Sequence, residues 1–161
     1  MRCSPMPPRP TDTAGKVLSP AAARTWRRKR RRVVFTNGVF DILHAGHVSI
    51  LERSRALGDF LIVGVNSDAS VRRLGKGPER PINALKDRMR VLAGLACVDA
   101  VTSFGEDTPE RLLSGLKPDV LVKGADYKAH EVAGRQHAGK VVLLSLVKGR
   151  STTSVVKKLR R

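Results

Sequence analysis

Aromatic residues make up only 4% of the 161 positions. A folded core must therefore be built from Val, Leu, Ile and Ala, and a hydrophobic fraction of 41% is enough for one globular domain. Cysteine is nearly missing. Cys3 and Cys97 cannot form a disulfide framework, so a reducing cytoplasm is the expected setting. No apolar run approaches the roughly 20 residues of a membrane span, and the N-terminus lacks the apolar centre of a signal peptide. No membrane partner is expected. Acidic residues are few: 14 face 31 Lys and Arg, for a formal net charge of +17. Such an excess first suggests nucleic acid, but its distribution argues against that. The first 32 residues hold ten basic side chains and one Asp, so +9 of the charge falls in a segment outside the expected fold.

Four of the nine prolines fall in the first ten residues, which show little periodicity. Residues 1–30 are expected to be a disordered basic tail, with a short helix allowed in residues 21–32, and residues 31–161 the domain. The basic run over residues 26–32 suits RNA or an acidic surface, or else is a solvated tail; the solvated reading is favoured. From residue 33 the chain alternates strand and helix patterns. Strands are expected over 33–35, 59–66, 98–104, 119–124 and 140–146. Helices are expected over 48–57 and 84–96, the latter capped by Asn83, and from 107–110 to about 115, with a last one from Ser154. Residues 67–80 read as a basic loop. This order predicts an α/β fold, a doubly wound parallel sheet of Rossmann-like form with its ligand site at the C-terminal strand ends.

One stretch carries most of the chemistry. Thr36, Asn37, Gly38, Val39, Phe40 and Asp41 follow the first strand, and His44, Ala45, Gly46 and His47 open the next helix. Gly38 and Gly46 permit a sharp turn and close approach of backbone to a ligand. His44 and His47, three apart, can share one side of the helix mouth. The helix N-terminus offers unpaired N–H groups and partial positive charge, which suits phosphate. Two His fall short of the three protein ligands of an open zinc site, so no metal held by the protein itself is expected. Further polar sets follow the other strands: Asn66, Asp68 and Lys76; Lys123, Asp126 and Tyr127; and Arg150, Ser151, Thr152 and Thr153.

The string Asn-Gly-x-Phe-Asp-x-x-His-x-Gly-His resembles the signature of the cytidylyltransferase-like nucleotidyltransferases. Residues 65–68, 80–83, 122–127 and 149–153 narrow the resemblance to the heptose 1-phosphate adenylyltransferases, over about residues 31–161. That family occurs alone or as the second module of an enzyme with a sugar kinase. With no kinase module in the sequence, the stand-alone form is the one resembled. Val39 stands where Cys is common, Ala125 where Gly is common, and Gly75 is inserted before the loop lysine.

The resemblance implies transfer of AMP from ATP to D-glycero-β-D-manno-heptose 1-phosphate, for the inner core of lipopolysaccharide. Mg²⁺ is expected on the phosphates, and a homodimer follows from the resemblance alone. His44 and His47 would serve the triphosphate, with Lys76, Lys123 and Arg150 supplying charge. Ser151, Thr152 and Thr153 would form a second helix-terminal cradle. The main chain of Val39 and Phe40 would lie near the α-phosphate, with Asn37, Gly38, Gly46 and Asp126 also binding nucleotide. Asp41 reads as structural, bonding its own turn. Two alternatives remain: a sister enzyme using CTP or another acceptor such as glycerol 3-phosphate or FMN, and a nucleic-acid-binding protein acting through the basic run.

Overall fold

The computed structural model describes residues 12–75, 77–145, 152, 155 and 156. Its centre is a five-stranded parallel sheet of β1 (Val33–Gly38), β2 (Phe60–Asn66), β3 (Ala100–Phe104), β4 (Val120–Gly124) and β5 (Lys140–Leu144), in the order β3-β2-β1-β4-β5. β1, β2, β3 and β4 are apolar and largely buried, as parallel strands covered by helices must be, whereas the edge strand β5 is only partly buried. Crossovers run through α2 (Ala45–Arg55), then α3 (Asp68–Arg73) and α4 (Leu85–Ala93), then α5 (Glu110–Leu116). A helix α1 (Pro20–Arg28) precedes β1. The strand order reverses at β1, so the β1–β4 boundary is the switch point where such sheets open a ligand crevice.

Period-two alternation sorts the strand side chains into two cores. Val34, Leu61, Val63 and Val122 face one side and meet Leu51 of α2 and Leu92 of α4. Val33, Phe35, Ile62 and Leu121 face the other and meet Leu113 of α5 and Ala23 of α1. The second core thus includes a helix from the segment expected to be a tail.

That expectation is corrected for the described part of the segment. Ser19 caps α1 by accepting from the Ala22 N–H, and Pro20 sits at its first position. Val17 bridges to Val101, and the Leu18 N–H donates to the Val101 carbonyl, so the chain extends the sheet edge before α1 begins. Trp26 packs edge-on to Phe60 at 5.9 Å, and the Arg30 guanidinium lies 4.1 Å from the Trp26 ring and 5.4 Å from the Phe60 ring. Arg27 pairs with Asp119 at 3.0 Å and donates to the Lys117 carbonyl. Part of the basic run is therefore spent inside the fold. Residues 1–11 of the expected tail lie outside the described residues.

Three further expectations change. Asp68–Arg73, read as loop, is helix α3, whose N-terminus Ser67 caps by accepting from the Ser70 N–H. Helix α4 ends at Ala93, not residue 96, and its N-cap is Ala84 with no side-chain cap bond. Asn83 instead turns its amide to the Asp41 carbonyl. The helix expected from Ser154 falls largely outside the described residues.

The packing of α1 makes it part of the domain energetically. Ala23 is fully buried, so Ala23→Glu forces an unpaired charge into the second core, at a cost of about 3 kcal/mol or more. For a chain of this size that is expected to lower the Tm by roughly 6–12 °C, read in a thermal melt. An unchanged Tm would mean that α1 is not held on the sheet.

Candidate active site

β1 delivers the turn that begins the site. It pairs with β4 through Val34, Phe35 and Thr36 and with β2 along its whole length to Gly38, so the chain leaves from the middle of the sheet. Phe40 then takes a left-handed φ of 49°, which an L-residue adopts only at a cost of about 1–2 kcal/mol. This reversal carries the chain from the strand end to the mouth of α2, and strain of this kind gathers at functional sites. The Phe40 ring meets His47 edge-on at 5.1 Å.

His44 is the N-cap of α2, with extended backbone. Its carbonyl accepts from the N–H groups of His47 and Val48. The N–H groups of Ala45 and Gly46, one turn earlier, have no acceptor within the helix. The His44 and His47 rings stack at 3.8 Å, 20° from parallel.

Lys123 enters from the neighbouring strand. Thr36 is in register with Val122, which sets Asn37 beside Lys123, and the ammonium donates to Asn37 Oδ1 at 2.5 Å. Burial pushes the Lys123 pKa down to about 8, with Asp126 pulling the other way. Tyr127, half exposed, lies 5.5 Å from the ammonium.

These groups line one cleft of about 620 Å³ at the C-terminal edge of the sheet, within the range of small-molecule sites. The turn residues Asn37, Gly38, Val39 and Phe40 line it, as do Gly46, Lys123 and Asp126. Thr152 reaches it from the C-terminal segment, its hydroxyl 3.5 Å from the Ile42 carbonyl. Lys76, Arg150, Ser151 and Thr153 lie outside the described residues. Among the described residues no group of three or more His, Cys, Asp or Glu is arranged to hold a metal, and no helix is long and apolar enough to cross a membrane.

Asp41 is structural, but not through its own turn. Its carboxylate accepts from the N–H groups of Ile82 and Asn83 and from Arg80. Burial raises its pKa, but the N–H groups of Asn83 and Ile82, together with Arg80, outweigh that and hold it below the usual carboxylate range. The loop before α4 is thereby anchored to the site turn.

Sequence reasoning missed Arg88. Its side chain is fully buried on the inward face of α4. It donates to the carbonyls of Val39, Asn66 and Asn83 and to the Asp68 carboxylate at 2.6–3.0 Å. The available signal was its helical spacing from Leu85, Met89 and Leu92, which puts a charge on an apolar face. Arg88→Met would keep the stem but leave three carbonyls without their donor. It is expected to cost about 3–5 kcal/mol of stability, measured by urea unfolding. A loss below about 1 kcal/mol would make the bonds dispensable.

The profile of the cytidylyltransferase-like family matches residues 35–155. The chain is 62% identical over 134 residues to the bifunctional protein HldE of Azotobacter vinelandii, covering 81% of this chain and 28% of that protein. It is 56% identical over 137 residues to the bifunctional protein HldE of Wolinella succinogenes, covering 85% and 29%. The chain thus spans less than a third of the length of these relatives. Among solved structures, it is similar to the lipopolysaccharide core biosynthesis protein from Thermoplasma volcanium. The TM-score is 0.63 at 31% identity, with 72% of this chain and 98% of that one covered. A pantoate-beta-alanine ligase from Francisella tularensis shares the fold, with a TM-score of 0.54 at 15% identity over 90% of this chain and 79% of that one.

Proposed function

The chain belongs to the cytidylyltransferase-like family, and on that footing we propose that it transfers AMP from ATP to D-glycero-β-D-manno-heptose 1-phosphate, giving ADP-heptose and pyrophosphate. The observation that carries this reading is the meeting in one cleft of the stacked His44–His47 pair and the part-buried Lys123–Asn37 pair. The high identity to the bifunctional HldE proteins supports the heptose acceptor over its sisters.

No covalent intermediate is needed. The acceptor's phosphate oxygen is already a nucleophile at neutral pH. It attacks the α-phosphorus of ATP, a new P–O bond forms, and the bond to the bridging oxygen breaks as pyrophosphate leaves with its electron pair. The protein's task is alignment and charge stabilisation. His44 and His47, with the N–H groups opening α2, donate to the triphosphate as charge builds on the leaving group. Lys123 neutralises a phosphate from the β4 side, and Asn37 holds its ammonium there. Gly38, Val39, Phe40 and Gly46 shape the main-chain bed beneath the nucleotide. Asp126 and Thr152 close the β4 side, and Lys76, Arg150, Ser151 and Thr153 belong to the same proposed set.

The donor set fits a Mg²⁺ carried by the phosphates rather than caged by the protein. Asp41 is committed to its own donors, and Asp126, Asp107 and Glu131 line the cleft without forming a cluster. Bound in that way, Mg²⁺ neutralises phosphate charge. The reading places the enzyme in the cytoplasm, beside its ATP, as a homodimer.

Pyrophosphate release with ATP or CTP, and with heptose 1-phosphate or glycerol 3-phosphate, tests the assignment. ATP with the heptose is expected to be the productive pair, and turnover only with CTP or glycerol 3-phosphate would transfer the chain to a sister activity. Within that assay His47→Ala is expected to lower kcat roughly 10²–10³-fold; wild-type turnover would remove it from the mechanism.

Lys123 gives a pH signature. A lysine with a lowered folded-state pKa penalises the native state fully below about 8, and the penalty fades as pH rises towards the unfolded value near 10.4. Lys123→Met is therefore expected to raise the Tm at pH 7, with a gain that shrinks between pH 8 and about 10.4. The same ionisation makes kcat/KM for ATP fall as pH rises through about 8 in the wild type, and Lys123→Arg should flatten that fall. A Lys123→Met protein with normal turnover would reduce the lysine to a snorkelling side chain.

A further inference from the structure

We propose that Arg80 is a phosphate-binding residue of the cleft, aimed by Asp41 from the side of β1 opposite Lys123. The site follows from geometry, and only the identity of the phosphate rests on the proposed reaction. Arg80 lies in the connection between α3 and α4, with 8% of its side chain exposed, and it lines the cleft. Its Nε donates to Asp41 Oδ2 at 2.5 Å. Among the described residues its two terminal nitrogens have no protein acceptor. They are not sealed off either, because Arg80 is absent from the buried side chains left without partners. The small exposed part of the residue is thus the open edge of its guanidinium, turned to the cleft.

The contrast with Arg88 defines the role. Arg88 spends its fork on the carbonyls of Val39, Asn66 and Asn83 and on Asp68, so it is structural. Arg80 commits one edge and leaves the other free. That open edge lets an arriving anion form a charge-assisted, bidentate pair with the guanidinium. Asp41 cannot be that anion's rival for long, since its oxygens are already filled by Ile82, Asn83 and Nε. With its pKa lowered, it stays charged and fixes the plane of the guanidinium. Two parallel N–H groups in that plane match two phosphate oxygens.

Position narrows the choice of phosphate. β4, with Lys123, lies on one side of β1; β2, from which the Arg80 connection departs, lies on the other. An in-line transfer places the incoming and departing oxygens on opposite sides of the α-phosphorus, so each side needs a cation. Asp126 and Thr152 line the cleft with Lys123 and belong to the proposed nucleotide set. The acceptor's phosphate is therefore the expected occupant of Arg80, and the triphosphate is the other source of the same chemistry.

Steady-state kinetics of Arg80→Met and Arg80→Lys separate the sources. The KM for the acceptor is expected to rise at least about tenfold, with kcat and the KM for ATP within about threefold of wild type, as for loss of a ground-state bidentate contact. A rise confined to ATP keeps the phosphate site and assigns it to the triphosphate. Unchanged KM values, or a fall in kcat alone, in protein that melts normally would overturn the proposal. Should both variants fail to fold, the wild type decides. Phenylglyoxal modification mapped by mass spectrometry is expected to label Arg80, with labelling suppressed by inorganic pyrophosphate or by the acceptor. Equal labelling with and without these anions would overturn the proposal. Protection by pyrophosphate in a protein that releases none from ATP and heptose 1-phosphate would retain the site and refute the reaction.

Discussion

The site depends on one buried guanidinium. Arg88 gathers the carbonyl ends of β1, β2 and the loop before α4 around a single planar fork. Each of those segments ends in an irregular turn whose carbonyls would otherwise be buried without donors. Lysine could not replace it, because a point charge with rotating donors does not match carbonyls arranged in one plane. Desolvating the charge is expensive, and the partial half-exposure of Asp68 keeps that pair from being wholly in low dielectric. The result is rigidity at the floor of the cleft: the turn at Val39 cannot drift from the strand end at Asn66 without breaking bonds to the same side chain.

On that frame the cleft collects donors. Two cations, Lys123 from β4 and Arg80 from the loop before α4, line one space with the imidazoles at the mouth of α2. Asp41 is committed to the backbone of Ile82 and Asn83 and to Arg80, while Asp126 lines the cleft and acts on Lys123. A site that concentrates positive charge in a low-dielectric setting lowers its own stability until an anion arrives. The downward shift of Lys123 comes from the burial of its ammonium, against the pull of Asp126. In the proposed reaction a bound polyphosphate would offset that cost and stabilise the loaded protein.

Much of this was legible in the chain. The strand–turn–helix around residues 33–55 follows from a β-branched run, two glycines and a helical apolar period. The parallel sheet follows from repetition of that alternation. The stacked histidines follow from a spacing of three at a helix start. Other parts were not. Proline content and charge pointed to a tail, yet α1 packs on the sheet, because Ala23 and Trp26 meet the second core and Arg27 beside them is drawn to Asp119. Asn83 looked like a helix cap, since Asn before an apolar run usually is, but a carbonyl at Asp41, distant in sequence, claimed its amide. Helix α3 is too short for its periodicity to separate it from a loop.

The sequence by itself determined the alternation of elements, the family signature and the candidate phosphate cradle at residues 36–47. Each of these is local: turn chemistry, side-chain period and helix termini act within a few residues. Only the tertiary structure decided which charges meet. Asn37 and Lys123 are 86 residues apart, Val39 and Arg88 49, and Asp41 and Arg80 39. Which of two arginines eight positions apart is sealed by carbonyls and which keeps an open edge depends on the packing of α4 against β2 and β3. Local sequence preference carries no record of that packing.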